Sequence, residues 1–80
     1  MELTIIAFGI ARDIFNAPSI QVTIEGIATT ANLKTQLELQ YPRLAALRSY
    51  MVAVNNEYAQ PGLQLKPGDE IAIIPPVSGG

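Results

Sequence analysis

The segment ELTIIAF, residues 2–8, has the β-branched and aromatic composition of a β-strand, with apolar side chains on both faces. Alternate residues of a strand share a face. One face carries Leu3, Ile5 and Ala7, and the other carries Thr4, Ile6 and Phe8. A strand that is apolar on both sides belongs in the interior of a sheet. We therefore predict a central strand whose second face is covered, at least in part, by something outside the domain.

The last predicted strand, EIAII at residues 70–74, is equally apolar. Two prolines follow it, and because proline has no N–H to donate, the sheet is expected to end there. If the first and last strands lie side by side at the centre of the sheet, the chain leaves the domain from the middle. The segment PPVSGG, residues 75–80, is then an extended tail.

Two further strands and the turns beside them are predicted between the first strand and the last. Residues 19–25, SIQVTIE, alternate between apolar and polar, which predicts a half-buried strand that pairs with the first as a hairpin. Residues 11–15 can form one short helical turn between them. Residues 51–55, MVAVN, form a third strand with a tight turn at Asn55-Asn56. The Pro67-Gly68 pair marks another turn before the last strand.

A helix is predicted over residues 30–40, TANLKTQLELQ, because apolar side chains recur every four residues along one face. Thr29 or Thr30 can cap its start. Pro42 disfavours helical geometry at the residue before it, so the helix is expected to stop there. Residues 42–50 are expected to form an irregular connection. The apolar stripe consists of Leu33, Leu37 and Tyr41.

The predicted order of elements is strand, strand, helix, strand, strand. An apolar helix stripe needs a sheet face to bury it. We therefore predict an α+β domain over residues 1–74, in which a mixed sheet wraps around one main helix. A flexible C-terminal tail, residues 75–80, follows this domain.

The composition excludes several kinds of chemistry. The 80 residues include no His and no Cys, which excludes a thiolate nucleophile, a Ser-His-Asp triad and the usual zinc ligands. Without these ligands no metal site is expected. The formal net charge is −2 and the basic residues are scattered, so no nucleic acid partner is expected. The carboxylates Glu57, Asp69 and Glu70 are expected to solubilise turns rather than to form a catalytic pair. We expect a cytoplasmic protein that binds no membrane, because no apolar run reaches the roughly 18 residues of a span.

The last two residues, Gly79 and Gly80, suggest a role for the tail. Because glycine has no Cβ, this tip can enter a channel too narrow for any other residue. The reactive group would be the Gly80 carboxylate. A free carboxylate is a poor electrophile, so its use as an acyl group requires activation, for example as an acyl-adenylate made from ATP by a partner enzyme. The chain has no GxxxxGK[ST] phosphate-binding loop of its own.

The ending DEIAIIPPVSGG, residues 69–80, closely resembles the family of molybdopterin synthase small subunits. The resemblance extends along the whole chain. It includes a first strand that ends in Phe8 and is followed by Arg12-Asp13, a V-N-x-x motif at residues 54–57, and an L-x-x-G-D-E turn at residues 65–70. The chain departs from the family pattern at Ala7, Ile73 and Ile74, where relatives often carry aromatic residues.

The resemblance implies a ubiquitin-like β-grasp fold and a sulfur carrier for molybdenum cofactor biosynthesis. Gly80 would be adenylated by a ubiquitin-activating-like adenylyltransferase and converted to a thiocarboxylate. The large synthase subunit would take up the tail, and sulfur would pass to a pterin precursor. The family typically forms a heterotetramer of two small and two large subunits. The small subunit would then be non-catalytic and bind no cofactor, while the activating partner uses ATP.

A candidate docking surface consists of the apolar residues that face away from the predicted core. They are Thr4, Ile6 and Phe8 on the first strand and Ala72 and Ile74 on the last. Ordinary core filling is the alternative. The tail residues expected to bind the partner are Pro75, Pro76, Val77 and Ser78. Arg12 with Asp13 could contact a partner or form a solvated surface pair.

Three other functions remain open from the residues. A sulfur carrier of another pathway, such as that of the thiamine thiazole, would also end in Gly-Gly. A ubiquitin-like modifier would join Gly80 to a target lysine through an isopeptide bond, and its conjugates would persist through denaturation and reducing agent. A simple interaction module with a passive tail would tolerate deletion of Gly80, whereas both carrier roles would be lost.

Overall fold

The computed structural model describes residues 1–26, 28–47 and 49–75. The strands are β1 (Glu2–Ala7), β2 (Ser19–Thr23), β3 (Met51–Val54), β4 (Glu57–Tyr58) and β5 (Glu70–Ile74). The helices are α1 (Ile10–Phe15), α2 (Thr30–Gln40) and α3 (Pro42–Ala45). In these described ranges no helix has the length and apolarity needed to cross a bilayer.

The five strands form one mixed sheet in the order β2-β1-β5-β3-β4. β1 and β5 are parallel neighbours at the centre, and the other three pairs are antiparallel. The predicted central placement of the first and last strands is therefore confirmed, as is the antiparallel pairing of the first two. A mixed sheet of this order, with its helices on one face, is the β-grasp arrangement, which confirms the predicted α+β fold.

The core lies between α2 and the inner face of the sheet. Leu33 and Leu37 of the predicted helix stripe are fully buried, and they belong to one apolar cluster with Leu3, Ile5 and Ile71 of the central strands. Burial of a leucine or isoleucine side chain contributes about 1.5–3 kcal/mol. This small set of contacts therefore supplies much of the free energy that holds α2 on the sheet.

The ends of α2 follow from local chemistry. Thr29, rather than Thr30, is the N-cap: its Oγ1 accepts from the Asn32 N–H at 3.3 Å, and its own N–H donates to Asn32 Oδ1 at 3.0 Å. Thr30 is buried. At the other end the helix stops at Gln40, as Pro42 predicts, and Tyr41 is partly buried with its ring centroid 4.7 Å from that of Phe15.

Four sequence-based expectations were wrong in detail. The first strand ends at Ala7 rather than at residue 8, and the second ends at Thr23 rather than at residue 25. The connection over 42–50 is not wholly irregular, because α3 forms with Pro42 at its first turn, where proline's fixed φ suits a helix start. The third strand ends at Val54, one residue earlier than predicted, because Asn55 has a φ of 53° and Asn56 a φ of 71°. These two residues form the predicted tight turn, and the short strand β4, which was not predicted, follows it.

Candidate docking site

The outer face of the sheet carries a row of apolar side chains. Ile6 of β1 is paired with Ala72 of β5, Ala72 with Ala53 of β3, and Ala53 with Tyr58 of β4. The row therefore crosses four neighbouring strands on the face that points away from α2. Ala53 is only 6 % exposed although it lies outside the main apolar cluster, because its larger neighbours on this face cover it.

A groove of about 290 Å³ follows this row. Its two alanines have the smallest side chains and lie between larger ones on either side. Two aromatic side chains that line the groove are largely exposed: Phe8 is 50 % exposed and Tyr58 is 66 % exposed. An exposed apolar patch of this kind marks a surface that binds another molecule. The groove is lined by Ile6, Phe8, Ala53, Asn56, Tyr58, Glu70, Ala72 and Ile74.

The structure brings most of the predicted docking residues together. Ile6, Phe8 and Ile74 line the groove with Ala72, whereas Thr4 lies farther along β1 and receives a hydrogen bond from Gln21 at 3.4 Å. Sequence analysis missed the opposite side of the groove. The alternation in MVAVN carried a signal for Ala53, but the contribution of Tyr58 requires β4, whose two residues gave none.

The start of the tail is held at one end of this groove. Phe8 N–H donates to the Ile73 carbonyl at 3.3 Å, which extends the β1–β5 pairing one residue beyond the end of β1. Gly9 follows with φ 55° and ψ −132°. A Cβ on Gly9 would lie 3.1 Å from Pro75 Cγ, so Pro75 packs against a backbone that only glycine accommodates. The remaining predicted tail residues, Pro76, Val77, Ser78, Gly79 and Gly80, lie outside the described residues.

Two of the sequence motifs meet at the other end of β5. Asn55 Nδ2 donates to Asp69 Oδ1 at 3.0 Å, and Asn55 Oδ1 accepts from the Glu70 N–H at 3.0 Å. Asp69 Oδ2 accepts from the Lys66 N–H at 2.8 Å. Both carboxylate oxygens of Asp69 thus accept hydrogen bonds that hold a turn, whereas the sequence predicted only that this carboxylate solubilises it. The V-N-x-x and G-D-E motifs together fasten β3 to the start of the strand that leads to the tail.

Arg12 and Asp13 lie on α1, away from the groove. Both side chains are exposed, and they line a separate depression with Gly9, Ala17 and Pro18. The depression and the groove share no lining residue, so a partner contact at Arg12 would be a second contact region. That contact stays a prediction.

The titratable groups of the described residues do not form a catalytic constellation. No group of three or more carboxylate, His or Cys side chains could hold a metal ion within the described ranges. The Tyr50 hydroxyl donates to Glu38 Oε2 at 2.5 Å, and Lys34 Nζ lies 4.7 Å from the centre of the Tyr50 ring. Burial and the neighbouring Glu38 carboxylate raise the pKa of Tyr50 above its ordinary value. The phenol is therefore neutral at physiological pH. Its hydrogen bond to Glu38 joins α2 to Tyr50, the residue that directly precedes β3.

Comparison with known proteins agrees with this architecture. Residues 5–80 match the model of the ThiS family. The chain is 35 % identical over 81 residues to a molybdopterin synthase sulfur carrier subunit from Arabidopsis thaliana, with 100 % of this chain and 84 % of the relative covered. It is 34 % identical over 83 residues to the protein of the same name from Homo sapiens, with 99 % and 94 % covered.

A solved structure shares the fold at full length. The crystal structure of SAMP1 from Haloferax volcanii is 26 % identical, covers 100 % of both chains and gives a TM-score of 0.86. The chain belongs to the ThiS family, and the two relatives from Arabidopsis thaliana and Homo sapiens, which match it along its whole length, are molybdopterin synthase sulfur carrier subunits.

Proposed function

We propose that this chain is the sulfur carrier subunit of a molybdopterin synthase and serves molybdenum cofactor biosynthesis. One observation carries the proposal. The strand that precedes PPVSGG lies at the centre of the sheet and delivers Pro75 beside an open apolar groove. The relatives named above support the same reading along the full length of the chain.

The chemistry takes place on the Gly80 carboxylate. A ubiquitin-activating-like adenylyltransferase joins this carboxylate to AMP from ATP and releases pyrophosphate. A donor then supplies sulfur at the oxidation level of sulfide, which attacks the acyl carbon, breaks the bond to the phosphate oxygen and releases AMP. The product is a thiocarboxylate. The thiocarboxylate sulfur forms a C–S bond to a carbon of the pterin precursor and displaces an oxygen substituent from that carbon. Water then cleaves the bond between the sulfur and the acyl carbon, which leaves the sulfur on the pterin and returns the Gly80 carboxylate.

The catalytic side chains belong to the partner in this proposal. The chain has no His or Cys to act as base or nucleophile. Its own contribution is to dock and to present the tail. Ile6, Phe8 and Ile74 bind the large subunit through the groove, while the residues from Pro75 to Gly80 enter its active site. Two carriers on a dimer of large subunits would give the heterotetramer.

Reconstitution tests the proposal. The purified chain is combined with the activating enzyme, ATP, a sulfur donor, the large subunit and the pterin precursor, and the sulfur content of the pterin product is measured. A variant that lacks Gly80 is the matched control, since its folded part is unchanged. Sulfur in the product with the full chain and none with the control is expected. Equal transfer by both would contradict the proposal.

A second function is favoured by one observation. The similarity to SAMP1, a small archaeal modifier protein, suggests that Gly80 could instead be joined to a lysine of another protein. Both functions share the acyl-adenylate. Gly80-dependent conjugates that survive denaturation and reducing agent would support the modifier, and their absence under conditions where the thiocarboxylate forms would reject it.

A further inference from the structure

The outer face of the sheet continues past the groove, at the end where β5 begins. A second depression on this face is lined by Glu2, Thr4, Gly68, Asp69 and Glu70, none of which is basic. Glu70 lines both this depression and the apolar groove. Among the described residues that line the groove, Glu70 is the only charged one, so the acidic border lies on this side of the groove.

Two of these carboxylates, those of Glu2 and Glu70, accept no hydrogen bond within the part of the chain that the structure describes. Thr4 is paired with Glu70 across β1 and β5, and Glu2 precedes Thr4 by two residues on the same face. The side chains of Glu2 and Glu70 are exposed. Asp69 differs, because its oxygens already accept from Asn55 and Lys66.

The acidic border and the start of the tail lie at opposite ends of β5. Glu70 is the first residue of this strand and Ile74 the last. Four residue steps at about 3.3 Å each place them about 13 Å apart along the strand. The exposed apolar side chains occupy the space between. The face thus has a fixed polarity, with a negative end, an apolar middle and an end from which the tail departs.

We propose that Glu70, with Glu2 beside it, orients the large subunit on this face by lying opposite basic side chains of that partner. The inference rests on the proposed function. Apolar contact is non-directional, so the groove alone would allow a partner to bind in several rotations about the face. A charge contact at the end opposite the tail selects the rotation in which the tail points into the active site. Such contacts act chiefly on association rate and orientation.

The test compares two variants of equal net charge. Glu70→Gln removes one negative charge from the border, and Glu25→Gln removes one from an exposed residue that lines neither the groove nor the acidic depression. Association of each with the purified large subunit is followed by stopped-flow fluorescence over a series of salt concentrations. We expect Glu70→Gln to associate about two- to fivefold more slowly at low salt and to approach the wild type as salt screens the contact. Glu25→Gln is expected to match the wild type.

The outcomes separate this inference from the function on which it rests. If the wild-type chain fails to bind the large subunit, the proposed function is overturned, and the inference with it. If the wild-type chain binds but Glu70→Gln and Glu25→Gln behave alike at every salt concentration, only the inference is overturned. Thermal unfolding of both variants is the control for folding. If both unfold at the same midpoint temperature as the wild type, any difference in association rate arises at the interface.

Discussion

Replacement of Gly9 by alanine should disturb the domain at the point from which the tail leaves. The backbone of Gly9 has φ 55° and ψ −132°, a conformation that costs an ordinary residue about 1–3 kcal/mol. The new Cβ would also lie 3.1 Å from Pro75 Cγ, so Pro75 would have to shift. Overpacking of this kind costs about 1–3 kcal/mol, and the lower entropy of the unfolded alanine chain returns about 0.4–1 kcal/mol. We expect a net loss of about 2–4 kcal/mol.

Gly68→Ala is the matched control for this prediction. Gly68 has a φ of 87°, yet a Cβ there would meet nothing within 4 Å. The control therefore contains backbone strain without a clash, and a loss of about 1 kcal/mol is expected. Urea unfolding gives the free energy for both variants, and sulfur transfer is measured under conditions where both are folded. Equal loss of stability in the two variants, with normal transfer by Gly9→Ala, would refute the argument that Gly9 positions the tail through Pro75.

Three further predictions concern the docking groove, the Asn55 hydrogen bonds and the buried phenol. Phe8→Asp should leave the fold intact, because Phe8 is 50 % exposed. It should weaken binding to the large subunit at least tenfold, as measured by calorimetry. An unchanged affinity would show that Phe8 is not part of the interface. Asn55→Asp replaces the amide that donates to Asp69 by a second carboxylate, and should lower the free energy of unfolding by about 1–3 kcal/mol at pH 7. Part of this loss should be recovered at low pH, because protonation removes the repulsion between the two carboxylates. The control Asn56→Asp should change the free energy of unfolding little. Folding raises the pKa of Tyr50, so as pH rises the unfolded chain loses the phenol proton before the folded chain does. The free energy of unfolding of the wild type should therefore fall above about pH 10, by at most about 1.4 kcal/mol per pH unit, relative to that of Tyr50→Phe. Parallel pH profiles of these two proteins would count against a protonated, buried phenol.

Much of the fold could be predicted because its signals are local. The two-sided apolar character of residues 2–8 and 70–74 placed both strands at the centre, and the four-residue repeat of Leu33 and Leu37 identified the helix face that packs on them. Alternation within each strand also separated the inner face from the outer one. These patterns depend on a few neighbouring residues, so the chain displays them before any tertiary contact is known.

The rest depends on contacts between distant segments. Tyr58 belongs to the groove only because β4 pairs with β3, and a two-residue strand leaves no periodicity to recognise. Asn55 donates a hydrogen bond to Asp69, 14 positions away, and accepts one from the Glu70 N–H, 15 positions away, so neither motif indicates the other. The proximity of Gly9 to Pro75 likewise follows from the parallel register of β1 and β5.

The most direct test of the sulfur-carrier proposal is the intact mass of the protein purified from cells that contain its activating system. If the chain is a sulfur carrier, a population should be found in which one sulfur replaces one oxygen, with fragmentation locating the change at Gly80. A carboxylate that stays wholly unmodified, both in cells and after incubation with activating enzyme, ATP and sulfur donor, would contradict it.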